Sequence, residues 1–329
     1  MSDCNLIDRG FDMPTLEFGV KTGQGGYSFE DLARVWSASE ELSYDSIWLY
    51  DHFHALGHED EPCLEAWTTL SALAALTNRA KIGTMTTCVS YRNPSLLAKM
   101  GATVDVISHG RLVLGIGAGW YKEEYAAYGY EFPTDRVRVR ALREALIIIN
   151  QMWTADQSTF EGEFYSVHGA VCLPKPVQKP RPQIIVGITR GRRTMPYLAS
   201  RYADGFNTPN SSVDDCKGIL EAAEEYWKMS GKPIGGQTKS WQGFVLIGES
   251  PSEVENIAAR IAKNRGQSTT EFRKSAAERG FIIGQPDEVT ERFRRFKDIG
   301  FNNFLLIFAE DTSIRPLEIF RDKVIPRLR

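Results

Sequence analysis

Leu42-Ser43-Tyr44-Asp45-Ser46-Ile47-Trp48 and, near the far end of the chain, Ile299-Gly300-Phe301-Asn302-Asn303-Phe304-Leu305 follow one plan. Each reads as the end of a helix, a small residue, an aromatic, a polar turn and then a buried strand. A helix-to-strand junction written twice, near both ends of 329 residues, points to a repeated βα unit. Working outward, strands are expected at 16–20, 46–50, 81–86, 111–116, 184–186, 204–206, 243–247 and 303–308. Helices are expected between them. Ser28, Ser212 and Ser250 stand as N-caps, with Asp31, Asp215 and Glu253 three residues on. Pro94, Pro251 and Pro286 sit where a first helical turn tolerates proline, and Gly110 closes the helix that Pro94 opens. A small β-excursion is expected at about 157–172.

Strands separated by helices are parallel strands, because parallel pairing needs a crossover. Eight such units closing on themselves make a (β/α)8 TIM barrel. We expect a single barrel domain over 1–329, with insertions at about 157–180 and 264–282. A doubly wound open sheet has a similar length, but the glycine fingerprint of its first turn is absent. No linker rich in proline, glycine or serine divides the chain.

Composition narrows the function. Hydrophobic residues make up 42% and charged residues 25% of the chain. Mean hydropathy is −0.30. This is a core-forming composition. A net charge of −3 offers nothing to nucleic acid or an anionic membrane surface. No apolar run reaches the ~20 residues that span a bilayer. The stretch MSDCNLIDRG lacks the apolar centre of a secretory signal. The five cysteines are scattered, with no CxxC pair. They read as reduced thiols of a cytoplasmic protein.

A barrel carries its chemistry at the carboxyl ends of its strands. Reading those ends alone gives Asp51-His52, then Thr86-Thr87-Cys88 with Tyr91-Arg92-Asn93-Pro94, then Gly117-Ala118-Gly119-Trp120-Tyr121, then Gly187-Ile188-Thr189-Arg190-Gly191-Arg192-Arg193, then Asn207-Thr208. The strand bodies are plainly apolar, so the polar and glycine residues cluster where a site belongs. A histidine beside a carboxylate can move a proton near neutral pH, with Asp51 expected to orient His52. His54 and His58 read as loop residues making local bonds, and no metal is expected. The Gly187–Arg193 segment combines a hydroxyl, three arginines and a helix start, all attractive to a phosphate. The glycines at 115–119 read either as a second phosphate-binding run or as backbone that lies flat under a planar ring.

Several motifs resemble the bacterial luciferase-like flavin oxidoreductases. They are Tyr44-Asp45-Ser46-Ile47-Trp48-Leu49-Tyr50-Asp51-His52, Tyr91-Arg92-Asn93-Pro94, Ser108-His109-Gly110-Arg111-Leu112 through Trp120, and Arg201-Tyr202-Ala203-Asp204-Gly205-Phe206-Asn207. The Asp51-His52 pair resembles the F420-dependent branch. The resemblance implies an oxidoreductase using F420, a 5-deazaflavin, for hydride transfer to or from a small organic substrate. The alternative is an FMN-using monooxygenase that takes reduced flavin and oxygen. It implies a non-prolyl cis peptide between Met85 and Thr86, with Asp51, Met85, Thr86 and Thr87 against the cofactor. It implies a fourth-strand loop at Gly117, Ala118 and Gly119, and a phosphate loop at Gly187, Ile188 and Thr189, which Arg190 continues. It also implies a homodimer through helices near 64–76 and 94–108, where Trp67 and Leu73 stand on an apolar helix. Some F420-dependent sugar-phosphate and alcohol dehydrogenases carry a glutamate directly after the fourth-strand glycines. Trp120 stands there in this chain, so the acid role passes to His52, Glu123 or Glu124. The substrate pocket is expected beneath Trp120 and the 264–282 insertion.

Overall fold

The computed structural model describes residues 16–57, 60–209, 212–232, 235–309 and 312–329. The stretch read for a leader, with Cys4, and also His58 lie outside the described residues. The chain runs β1 (Glu17–Lys21), α1 (Phe29–Glu41), β2 (Ser46–Leu49), α2 (Ala66–Leu76), β3 (Lys81–Cys88), α3 (Pro94–Ile107), β4 (Leu112–Gly117), α4 (Lys122–Ala127) and α5 (Asp135–Thr154). A hairpin of β5 (Ser158–Glu161) and β6 (Ser166–Ala170) follows. The alternation resumes with β7 (Gln183–Gly187), α6 (Thr194–Tyr202), β8 (Gly205–Pro209), α7 (Val213–Ser230) and β9 (Thr238–Ile247). Then come α8 (Pro251–Asn264), α9 (Thr269–Glu278), β10 (Ile282–Gly284), α10 (Pro286–Asp298), β11 (Asn303–Phe308), α11 (Arg315–Lys323) and α12 (Ile325–Leu328).

Strands β1, β2, β3, β4, β7, β8, β9 and β11 pair in parallel around a closed ring, in which β8 meets β9 and β11 returns to β1. This is the eight-stranded barrel expected from the alternation. The serine caps hold: Ser28, Ser212 and Ser250 accept from the backbone N–H three residues on.

Side chains of alternate strand residues enter the ring. The bottom of the ring is polar. Asn207 donates to Ser240 at 2.8 Å, Ser240 to Asn303 at 2.8 Å, and Asn303 to Glu17 at 3.1 Å. Above it lies an apolar plug of Trp48, Met85, Val113, Ile185 and Leu305, all nearly water-free. Burying each aliphatic member contributes ~1.5–3 kcal/mol. Above the plug the barrel opens at the carboxyl ends.

Three expectations change. β9 begins at Thr238, not at residue 243. Its polar first half had not read as a strand, but Ser240 and Gln242 bond partners across the ring interior. β8 continues to Pro209. Residues 264–282 form α9 and lead into β10, which adds to the upper edge of β9. Phe272 and Ala276 of α9 pack with Ile257, Ile261 and Phe281 in a cluster of their own. The insertion thus buries its apolar face against α8, and no contact found among the described residues joins it to Trp120.

Candidate active site at the carboxyl ends of the strands

His52 follows β2 and extends over the rim, where its ring is bounded edge-on by Tyr50 at 5.2 Å, Trp120 at 5.8 Å and Tyr121 at 6.0 Å between centroids. Its Nδ1 lies 2.9 Å from Glu124 Oε2. Glu124 is fully buried on the one-and-a-half-turn helix α4. It also accepts from the Tyr91 hydroxyl at 2.5 Å and from the Phe53 N–H at 2.5 Å. Burial is the strongest single influence on this carboxyl and opposes its ionisation. The bonds from His52, Tyr91 and Phe53 together outweigh burial and hold it below the usual carboxylate range. An ionised carboxylate only accepts, so Nδ1 is the donor of this pair. His54 also converges here, with Nε2 buried and 3.6 Å from Glu124 Oε1. It had read as a bystander.

Asp51 does not orient His52. Its carboxylate is 2% exposed and turned behind the end of β3, where it accepts from both Arg92 amino groups (2.7 and 3.0 Å) and from the Cys88 N–H. Arg92 also holds Glu65 at 2.5 Å. Burial pushes the Asp51 carboxyl up, against the pull of Arg92. Glu123, adjacent to Glu124 in sequence, is exposed. One helical step of 100° puts it on the outer face of α4.

The peptide joining Met85 to Thr86 is cis, at the position the resemblance implied. The register between β3 and β4 shifts between Thr84 and Thr87. Met85 enters the plug, and Thr86 follows it into the ring. A Cβ added at Gly117 would come within 2.9 Å of Thr86 Oγ1, and one at Gly187 within 2.8 Å of Thr86 Cγ2. The two glycines therefore leave a flat wall around Thr86 that larger residues would fill. Thr87 faces away, bonded to Thr84 at 2.5 Å and to Trp67 Nε1 at 3.2 Å. Only its backbone can serve a ligand. Gly119 has φ +80°, a conformation glycine adopts freely. Ala118 lies beside it, half-buried.

After β7 the Ile188 side chain is buried in the outer core, while Thr189, Arg190, Arg192 and Arg193 are exposed before the first turn of α6. The Arg192 guanidinium rests on Gly218 of α7. No ion pair is found for Arg190 or Arg193 among the described residues. The helix start and two unengaged cations favour an anion. The flat wall and this cationic end together fit an elongated ligand with a planar ring and a phosphate. A cavity of about 380 Å³ at the opposite face is lined by Lys81, Arg111, Arg181 and Asp204. Its residues belong to the strand starts, so it lies at the far end of the ring from His52.

Sequence reasoning placed Tyr91 and Arg92 after the third strand and in a family motif, but did not pair them with Glu124 and Asp51. It missed Lys21. Lys21, the last residue of β1, is 8% exposed, and its Nζ donates to Gln242 Oε1 at 2.9 Å.

A closed parallel barrel whose histidine, buried carboxylate and flat glycine wall meet at the strands' carboxyl ends is the architecture of an enzyme. The chain belongs to the luciferase-like monooxygenase family, whose model matches residues 14–303. It is 28% identical to an F420-dependent glucose-6-phosphate dehydrogenase of Microbacterium testaceum, over 95% of this chain and 98% of that protein. It is 29% identical to the enzyme of the same name from Kineococcus radiotolerans, over 95% and 97%. Among solved structures, an F420-dependent secondary alcohol dehydrogenase bound to an F420–acetone adduct superposes with a TM-score of 0.81, at 22% identity, over 96% of this chain and 99% of that one. A monooxygenase from Streptomyces bottropensis also reaches 0.81, at 20% identity, over 95% and 100%.

Proposed function

We propose that this protein is an F420-dependent oxidoreductase that transfers a hydride between the deazaflavin and a small organic substrate. The observation that carries the reading is the His52–Glu124 pair, 2.9 Å apart, at the mouth that also holds the Thr86, Gly117 and Gly187 wall. The relatives named F420-dependent dehydrogenases, matched over 95% of the chain, support the same cofactor. Bound there, a deazaflavin supplies two electrons as a hydride.

The chain's own residues do the rest. Thr86, Gly117, Ala118 and Gly119 would wall the ring, with Met85 beneath. The backbone of Gly187 to Thr189, with Arg190, would hold the phosphate. His52 Nε2 gives or takes the proton that accompanies the hydride. Glu124 fixes the tautomer and stabilises the imidazolium, and Tyr91 holds Glu124. Asp51 acts at one remove, by pinning Arg92 and the end of β3. Trp120, 64% exposed, stands at the entrance and limits what reaches His52.

The reading includes a homodimer through α2 and α3, and a cytoplasmic location, which the thiols of Cys63, Cys88 and Cys172, free among the described residues, support. Trp67 and Leu73, first read as dimer contacts, are buried within the protomer. The apolar residues left outward on these helices are Leu76, Leu96, Val106 and Ile107.

The test is to express the protein in a host that makes F420, weigh the co-purifying cofactor, and titrate the cofactor-free protein with F420 and FMN. F420 as the bound species, preferred at least tenfold in titration, is the expected result. FMN alone, with oxygen consumption on reduction, moves the protein to the monooxygenases.

A further inference from the structure

Lys21 carries a buried amine for which no counter-ion is found among the described residues. Gly19 marks the inward face of β1, since a Cβ there would meet Trp48 Nε1 at 2.9 Å and Leu305 Cδ2 at 3.1 Å, both in the plug. Lys21 stands two residues further on, so its side chain enters the ring on the level above the plug. There it reaches over β11, which lies between β1 and β9, to bond Gln242. Gln242 is a neutral acceptor, and it is the one partner found for Nζ among the described residues. An ammonium has three N–H donors. Among the described residues no carboxylate is found paired with it, and burial drives its pKa down to about 7. A buried cation left this way is costly, and proteins keep such groups where a ligand completes them.

The ring order places the pair. With β1, β2, β3, β4, β7, β8, β9 and β11 in circular succession, β1 lies across from β7, and β9 across from β3. Lys21 and Gln242 therefore face Thr86 and Gly187 across the mouth, with His52 on the rim above β2. A planar ring laid on the Thr86 wall would turn its open face toward them. A substrate would lie between that ring and this corner.

We propose that Lys21 and Gln242 form an oxyanion-binding corner of the substrate pocket, and that the substrate is a small organic acid whose carboxylate oxygen bonds the Lys21 ammonium. Gln242 orients the ammonium, and its own amide N–H is available to the same carboxylate. The proposal rests on the cofactor reading above for the identity of the opposite wall, but the corner itself is defined by this chain alone.

The probes are oxalate, inorganic phosphate and the neutral analogue acetamide, titrated into cofactor-free and F420-loaded protein and followed by thermal shift and calorimetry. Wild type is compared with Lys21→Met, which keeps the stem without the charge, and with Gln242→Leu. We expect oxalate to bind wild type and acetamide not to. A lost bond to a charged group should weaken oxalate about ten- to a hundredfold in Lys21→Met, and less in Gln242→Leu, with F420 affinity changed less than about threefold. Phosphate bound more tightly than oxalate, and lost in Lys21→Met, keeps the corner and changes the acid to a phosphorylated one, overturning the carboxylate. Oxalate affinity equal in wild type and Lys21→Met, or no oxalate binding by wild type, overturns the corner. F420 affinity falling tenfold in Lys21→Met with oxalate unchanged gives Lys21 to the cofactor instead and also overturns it. If F420 fails to bind wild type, the cofactor reading falls, and the cofactor-free oxalate titrations still decide the corner. Should Lys21→Met not fold, Gln242→Leu with the same probes carries the decision.

Discussion

His52 Nδ1 donates to Glu124 Oε2 across 2.9 Å, joining residues 72 apart in sequence into one hydrogen-bonded pair. In the proposed reaction the histidine would supply the exchangeable proton and the buried carboxylate would hold its ring.

His52→Ala should lower single-turnover hydride transfer by ~10²–10⁴-fold at saturating F420, the span of general acid–base contributions. Glu124→Gln keeps the shape and removes the charge, so the loss should be smaller, ~10–100-fold, and the pH–rate profile should shift. Because the two act as a unit, the double variant should be little slower than His52→Ala alone. Multiplying losses would mean the two act separately.

Asp51→Asn should behave differently. Its partner is Arg92, which sits 10% exposed between Asp51 and Glu65. Breaking a buried pair leaves an uncompensated charge, at a cost of ~3–5 kcal/mol, reduced here because Glu65 remains. The variant should show a lower melting temperature, with turnover of the F420-saturated enzyme changed by less than ~10-fold, below the acid–base range. A catalytic collapse at unchanged stability would return Asp51 to the chemistry.

At the phosphate end, Arg190→Ala and Arg193→Ala should each weaken F420 binding by ~1–3 kcal/mol, the worth of a charge-assisted bond. Arg192→Ala should cost less, because its guanidinium already rests on Gly218. Fluorescence titration of the deazaflavin measures all three. Equal and negligible losses would move the phosphate elsewhere.

What could be read in the sequence follows from how each signal arises. The barrel was legible because helix caps and apolar strands are local patterns, and the strand ends then pointed to His52, Thr86 and the glycine loops. Pairings were not legible. Nothing local tells Glu123 from Glu124; α4, only six residues long, turns one outward and one inward. Asp51 looked like the orienter of His52 because it is adjacent, yet adjacent residues at a strand end leave on opposite faces. The first half of β9 was lost because a barrel interior can be polar, and Thr238-Lys239-Ser240 carries no apolar alternation. Lys21 was missed for the same reason: a lysine at a strand end reads as solvated unless the closed ring above it is known.

The proposed dimer can be tested by charge. Leu96, 54% exposed on α3, and Leu76, 48% exposed on α2, face outward on neighbouring helices. Leu96→Glu with Leu76→Glu should convert a dimer to monomer by sedimentation while leaving the barrel folded, since surface substitutions usually change stability by less than ~0.5 kcal/mol. A wild type that sediments as a monomer at high concentration rejects the dimer outright.

Lys21 makes its own prediction for stability. Its pKa is down at about 7 in the folded chain, against about 10.4 when unfolded. Below pH 7 both states carry the proton, and the full cost of burying the charge falls on the folded state. Between the two values the unfolded state binds more protons than the folded one, so stability rises with pH. Above the unfolded value both are neutral and the cost is gone. Lys21→Met removes the titrating group, so the variant should be the more stable protein at pH 6, by on the order of a few kcal/mol. Its advantage should shrink steadily towards pH 10. Thermal melts of both proteins across that range measure the difference. Parallel curves would mean that the Lys21 ammonium is stabilised in the folded chain by water or by another group, and is no longer the unsatisfied cation that the corner requires.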